Sequence, residues 1–411
     1  MNYLLFIFQK RWPIHIVFVF GLFYIAPFID ALTGYLVLSG ITSESSIGSP
    51  SQLLRGCLFL MSISFIRRSS VNIFYFFIIY FLSVEVLNFF LYNNIRGLVI
   101  ALVTAYKLLY PICIYLALKN LVFKQVLSFD DIKKLFFNSA FLYSIGIIVP
   151  FFLNIGFPTY EDGGFGTKGF FASGNGLGMF LGVMLLFLYQ QGMYKTSRKD
   201  LIKFACVVLA VVFIATKATA IFLIIFLILL FLRLSAWLKT LIAFTLLTYI
   251  YIKYDEIISA IKIMFDVIAY RYETSPDFFT FILSGRNIMI RQAFEEYSIE
   301  GFYALRPIIG SGTFLSFRDP ANNPQFFDML ESDLIDVFFM YGILGVAIYG
   351  YIFLKPAFFF FQKKLWIPLL LFSTVLFHSI LAGHVIFNGM SILGVILMYI
   401  YTSFGTFKRV H

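Results

Sequence analysis

The chain reads as an all-α polytopic membrane protein of about twelve transmembrane helices with one long, helical outer loop. Three observations predict this class. The 411 residues are 61% hydrophobic and 13% charged, with a mean hydropathy of +0.91, and a soluble protein of this size cannot hide that much apolar surface. Apolar runs of span length recur from end to end. Lys and Arg concentrate in alternate turns between them.

The runs lie at about 12–29, 53–66, 71–91, 97–118, 135–155, 174–190, 201–216, 218–232, 236–252, 334–354, 365–383 and 385–404. Lys10 and Arg11 precede the first. Arg67 and Arg68 follow the second, Lys119, Lys124, Lys133 and Lys134 the fourth, and Lys195, Arg198, Lys199 and Lys203 the sixth. Arg233 and Lys239 follow the eighth, Lys355, Lys363 and Lys364 the tenth, and Lys408 and Arg409 close the chain. The opposite short turns hold little beyond Arg96 and Lys168. The positive-inside rule therefore places both termini in the cytoplasm. Three parts follow: spans 1–9 in residues 1–253, an outer loop at 254–333, and spans 10–12 in 334–411. The outer loop is periplasmic in a Gram-negative cell.

Residues 201–232 need a choice. As one helix they would extend roughly 48 Å, against a hydrocarbon core of about 30 Å. A single span would also put Arg233 and Lys239 outside. Two short helices meeting at Thr216-Lys217-Ala218-Thr219 restore the parity and set Lys217 at the outer surface, facing a cavity; a Lys snorkelling from a tilted helix is the alternative. Within the outer loop, Ile257, Ile261, Met264, Phe265 and Ile268 share one face of an amphipathic helix over 255–272. A second helix runs from Arg286 to Ser298, with Ile290, Ala293, Phe294 and Tyr297 on its apolar side. Gly310-Ser311-Gly312 and Pro320 to Pro324 read as irregular loop.

Composition excludes several functions. The net charge of +10 is the cytoplasmic Lys/Arg excess and not a nucleic-acid surface. Cys57, Cys113 and Cys206 lie inside apolar runs, as small buried residues do, and not at disulfide or metal spacing. No cleavable signal, soluble domain or nucleotide-binding glycine loop is evident, and no hydrolase, zincin or Walker motif occurs.

What remains for chemistry is a set of outer-face charges: Lys168, Lys217, Arg286, Arg291, Arg306 and Arg318, with Glu331, Asp333 and Asp336. Guanidinium forks suit phosphate and pyrophosphate, and a lone carboxylate suits a general base. Arg291 has Glu295 one turn on, so a surface ion pair also accounts for it. Arg286 and Arg291 stand about 140° apart on an ideal helix, too far to face one site. Arg286 opens a helix, where a cation is unfavourable unless an anion binds. Ser332 and Asp333 can cap the helix of span 10. Glu331, one step earlier and without a local cation, is the better base. Asp336 falls within reach of Lys217, His378 or His384, and Glu85 and Lys107 read as a structural pair between spans 3 and 4.

Four local patterns, in order, resemble the O-antigen polymerase (Wzy) and O-antigen ligase superfamily of integral-membrane glycosyltransferases. They are Lys168-Gly169-Phe170-Phe171 with Asn175-Gly176-Leu177-Gly178, then Thr216-Lys217-Ala218-Thr219-Ala220, then Ser284-Gly285-Arg286, and last Glu331-Ser332-Asp333 with Tyr341-Gly342-Ile343-Leu344-Gly345. Together they cover about residues 165–350. Ligases usually show His where this chain has Glu331, so the resemblance implies a polymerase over a ligase; a lipid-linked oligosaccharide flippase is the other class weighed, and no internal repeat supports it. It further implies transfer of a glycan from undecaprenyl pyrophosphate to a second lipid-linked repeat unit, in the bacterial inner membrane, without metal or cofactor. Glu331, with Asp333, would be catalytic; Arg286, Lys217, Lys168 and Arg291 would bind pyrophosphate. The implied partners are the lipid-linked oligosaccharide, membrane lipids and a chain-length regulator, with no nucleic acid.

Overall fold

The computed structural model describes residues 13–42, 48–66, 71–92, 95–159, 166–252, 254–255, 273, 276–283, 285–299, 304–319, 329–383 and 385–404. The amphipathic helix expected over 255–272, and Pro320 to Pro324, fall almost wholly outside them. The described chain is all-α apart from one small hairpin. Its first five helices are α1 (Ile14–Leu38, with a π-helical turn at Gly21–Ile25), α2 (Pro50–Ile63), α3 (Val71–Tyr92), α4 (Ile95–Phe123) and α5 (Phe129–Phe152). After hairpin β1 (Phe157–Pro158) and β2 (Thr167–Gly169) come α6 (Gly174–Gln191), α7 (Arg198–Ile214), α8 (Lys217–Arg233) and α9 (Ala236–Ile252). Next come the short helices α10 (Phe278–Leu283), α11 (Arg286–Glu296), α12 (Arg306–Ile309) and α13 (Gly312–Leu315), and then α14 (Asp333–Gln362), α15 (Trp366–Ala382) and α16 (Ser391–Phe404). Four of these, α1, α4, α5 and α14, are long and apolar enough to cross a membrane.

The centre is α6, buried on every side from Gly176 to Tyr189. Its glycines set the spacing. A Cβ on Gly182 would lie 2.2 Å from the Phe222 ring and one on Gly178 would lie 2.6 Å from Thr219, both on α8. Where no hydrophobic force drives helices together, close approach at small residues does. Residues 201–232 divide into two helices, α7 and α8. Ala215 takes a left-handed conformation (φ 52°), and Thr216 caps α8 by accepting from the Thr219 amide.

Three expectations change. The last helix starts at Ser391, not at 385, so 385–390 is irregular backbone. Such backbone survives at membrane depth only where protein or a water-filled cavity satisfies it. Gly310-Ser311-Gly312, expected as irregular loop, joins the short helices α12 and α13 and docks into the bundle, the Ser311 amide donating to the Phe339 carbonyl at 3.1 Å. Arg306 is buried, donates to Ser311 Oγ at 2.5 Å and to the carbonyls of Ser298, Ser316 and Arg318 at 3.0, 3.0 and 2.9 Å, and stacks on Tyr297. Glu85 is not paired with Lys107. Its carboxylate receives the Thr313 amide at 2.9 Å, the Thr313 hydroxyl at 2.7 Å and the Tyr341 hydroxyl at 2.8 Å. A buried carboxylate that accepts three donors holds α13 against α3 and α14.

Gly342 completes this contact. It breaks α14 with φ 60° and ψ −163°, and a Cβ there would lie 2.3 Å from the Ile308 carbonyl oxygen. Gly342→Ala therefore combines a forbidden backbone with a clash against immobile backbone. It should lower the thermal midpoint of the detergent-solubilised protein by several degrees, a cost of about 2 kcal/mol or more. Gly350→Ala is the control, since a Cβ there meets nothing closer than 3.8 Å. An unchanged midpoint for Gly342→Ala would contradict the docking described.

Candidate functional site

A cavity of about 1020 Å³ opens where helix ends meet. The N-terminal ends of α2 (Ser49, Ser51, Gln52), α6 (Ser173, Gly174, Asn175), α8 (Thr216, Lys217) and α11 (Arg286) line it, as do C-terminal residues of α1 and α15. Each helix N-terminus carries partial positive charge and unpaired amides. Five cations add to this: Arg55, Lys107, Lys168, Lys217 and Arg286. Among the described residues that line it, only Asp30 and Glu331 are carboxylates. A wall this positive in a low-dielectric bundle is suited to a multivalent anion.

Each cation is positioned by identifiable local structure. Lys168 sits in β2 between Thr167 and Gly169. Thr167 donates to the Phe157 carbonyl at 2.9 Å, and Gly169 (φ 57°) lies so close to α5 that a Cβ would be 2.2 Å from the Gly146 carbonyl. Phe171 then buries against Tyr143. The Lys-Gly-Phe-Phe pattern thus anchors its glycine and second phenylalanine and leaves the lysine on the cavity wall. Lys217 is the first residue of α8, just past the Thr216 cap, and is exposed. Thr159 donates to the Ile214 carbonyl at 2.8 Å, which satisfies the end of α7 beside the break.

Arg286 is the first residue of α11, after Gly285 in a left-handed conformation (φ 82°). The apolar side of α11 docks on α14. Ala293 is buried, and the rings of Phe294 and Tyr297 lie 4.8 and 4.9 Å from that of Phe339. This brings Arg286 to Glu331, and the two form an ion pair at 2.5 Å, 45 residues apart in sequence. Arg286 Nε is buried without a hydrogen-bond partner. Glu331, about half exposed, holds a left-handed backbone (φ 56°) that is strained for this residue type.

Of the sequence-predicted site residues, the cavity gathers Glu331, Arg286, Lys217 and Lys168. Arg291 is not among its lining residues; it is exposed and paired with Glu295 at 3.0 Å. Asp333 is fully buried. It neither lines the cavity nor caps α14. Its Oδ2 accepts from the Ser379 hydroxyl at 2.6 Å and from the Val385 and Ile386 amides at 2.9 and 3.2 Å. Ser332, the N-cap, donates its hydroxyl to the Ile380 carbonyl at 2.7 Å instead of to its own helix. Asp336 accepts from the Leu330 and Ser332 amides at 2.8 and 3.3 Å. The end of α15 and the irregular segment after it carry unmet backbone groups, and these claim both side chains.

Arg55, Lys107 and Asp30 were not singled out as site residues from sequence. Arg55 pairs with Asp30 at 2.6 Å, and Asp30 also accepts from the Ser51 and Tyr143 hydroxyls, each at 2.6 Å. A signal existed. Both are ionisable residues in or at the edge of neighbouring apolar runs, which by itself marks a partnered or functional pair. His378 and Asn388 also line the cavity, and Asn388 packs directly on Gly176.

Asp333→Ala would leave two amides and a hydroxyl buried without an acceptor, at about 1–3 kcal/mol each. Abundance in membranes and thermal midpoint should both fall, and Asp333→Asn should fall less because one acceptor oxygen remains. A wild-type midpoint for Asp333→Ala would remove its structural role. Compared with known protein families, characterised proteins and solved structures, this chain matches none.

Proposed function

We propose that the chain is a membrane glycosyltransferase, a polymerase that moves a glycan from undecaprenyl pyrophosphate to the sugar hydroxyl of a second lipid-linked repeat unit. The observation that carries this reading is the joining of cations at two helix starts, Lys217 and Arg286, with Lys168 and the carboxylate Glu331 on one cavity wall. The four sequence patterns behind the resemblance supply those same residues. The fit to a diphosphate rests on charge. Five cations against two carboxylates leave the wall net positive, and four helix N-termini add to it.

In the proposed reaction Glu331 takes the proton from the acceptor hydroxyl. The hydroxyl oxygen bonds to the anomeric carbon of the donor. The bond from that carbon to the phosphate oxygen breaks, and undecaprenyl pyrophosphate leaves with the bonding electrons. Arg286, Lys217 and Lys168 neutralise the charge that develops on it. The full reading has twelve spans, both termini in the cytoplasm and the cavity on the periplasmic face of the inner membrane. In support, α2, α6 and α8 start at the cavity while α1 and α15 end there, as the Lys/Arg alternation requires.

Two measurements test it. In a deletion strain complemented with Glu331→Gln, lipopolysaccharide should carry a single repeat. Loss of a general base typically costs 10² to 10⁴ in rate. Arg286→Ala should do the same, and Arg286→Lys should recover part of the polymer, because a point charge replaces a fork. Long chains from Glu331→Gln at normal abundance would overturn its role, and bare core in the deletion strain would point to a ligase or a flippase. For topology, Glu295→Cys in a cysteine-free background should react with an impermeant maleimide on intact cells, and Lys199→Cys should not. Both positions are exposed, whereas Ser311 is buried. The reverse labelling would sink the orientation.

A further inference from the structure

A second cavity, of about 200 Å³, lies among α4, α14 and α16. Its residues on α4 (Pro111 to Lys119), α14 (Tyr351 to Lys355) and α16 (Val395 to Tyr399) all lie further along those helices than the parts that approach the polar cavity. It therefore sits toward the other face of the bundle. On the Lys/Arg distribution this is the cytoplasmic face, since Lys119, Lys124, Lys355, Lys363 and Lys364 cluster there.

The wall is apolar and aromatic with two exceptions. Lys119 and Lys355 both line it, and among the described residues no carboxylate does. Each lysine rests on an aromatic ring: Lys119 Nζ is 5.5 Å from the Tyr115 ring centre, and Lys355 Nζ is 4.9 Å from that of Tyr351. Lys355 also donates to the Tyr351 hydroxyl at 2.7 Å. The Tyr115 hydroxyl is bonded to Ser403 at 2.8 Å and that of Tyr399 to the Ile352 carbonyl, so these rings are fixed. Two lysines on one gap, at the mouth of an otherwise apolar wall, offer an anion two charge-assisted contacts. The remaining surface, Ile112, Leu116, Val395 and Ile396, offers hydrogen bonds to nothing and suits an acyl chain.

We propose that this cavity binds an anionic phospholipid of the cytoplasmic leaflet, its phosphate between Lys119 and Lys355 and an acyl chain along α4 and α16. The site does not depend on the proposed catalytic reading. The test is native mass spectrometry of the full chain in neutral detergent, titrated with dioleoylphosphatidylglycerol or dioleoylphosphatidylcholine, which differ only in headgroup. The phosphatidylglycerol should bind roughly tenfold or more tightly, as expected for two near-surface lysines. Lys119→Gln with Lys355→Gln should abolish the preference, and the corresponding Arg pair should keep it. Lys363→Gln with Lys364→Gln, at the same face but outside the cavity, should keep it too. If the Gln pair does not fold, Lys355→Gln alone, at an exposed residue, should weaken the preference. The proposal is overturned by equal affinity for the two lipids, by a preference that survives the changes at 119 and 355, or by equal loss in the control pair. Competition by glycerol 3-phosphate as strong as that by the lipid would also overturn it, since the site would then hold a free anion.

Discussion

Positive charge gathered on one cavity wall inside an apolar bundle is the constraint on which the rest depends. Helix N-termini would contribute partial charges anywhere, but water usually screens them. Here four of them, with five Lys and Arg side chains, surround one space that holds two carboxylates. The break between α7 and α8 does not make sense as a stability device alone. A continuous helix through 198–233 would bury more backbone hydrogen bonds than α7 and α8 do. The break places Lys217 at a helix start, and the structure covers its cost with the Thr216 cap and the Thr159 bond to Ile214.

The same economy governs the other interruptions. Where α15 ends and α16 has yet to begin, the orphaned amides of Val385 and Ile386 find Asp333, and the Ile380 carbonyl finds Ser332. Gly383 (φ 61°) lets that segment lie against the Glu331 backbone, where a Cβ would be 2.7 Å from the Glu331 carbonyl carbon. Glu331 is therefore held in its strained conformation by neighbours whose own backbone groups are satisfied by the next two residues. Strain at such a position persists only when the surroundings fix it. On the far side, Glu85 and Gly342 lock α12 and α13 into the bundle, and α11 docks on the first turns of α14.

Much of this was legible in sequence because the signals are local. Run lengths gave the helices, the parity of Lys and Arg gave the two-helix division of 201–232, and a cation at a helix start singled out Arg286. Apart from the late start of α16 at Ser391, what the sequence does not show is non-local. The Asp30 and Arg55 pairing joins two runs, and nothing in either run names its partner. Glu85 was assigned to Lys107 because they neighbour each other in sequence order, while its real donors stand more than two hundred residues away. Asp333 and Ser332 fit a helix cap by spacing. The tertiary structure turned them instead toward carbonyls and amides that exist only because α15 stops at Ala382.

The pairing of Arg286 with Glu331 changes how the proposed chemistry must run. A carboxylate held at 2.5 Å by a guanidinium is not free to take a proton from a sugar. A diphosphate carries more charge than a carboxylate and accepts the same fork in bidentate geometry. On the proposed reading, donor binding draws Arg286 away, aided by its unbonded Nε, and the Arg286–Glu331 ion pair opens as the leaving group arrives. The exposed half of Glu331 then faces the acceptor. On that reading base activation is tied to an occupied donor site, and without donor the Arg286–Glu331 pair stays closed. This coupling needs no moving domain. It requires only that one guanidinium have two anionic partners within reach, one supplied by the protein and one by the substrate.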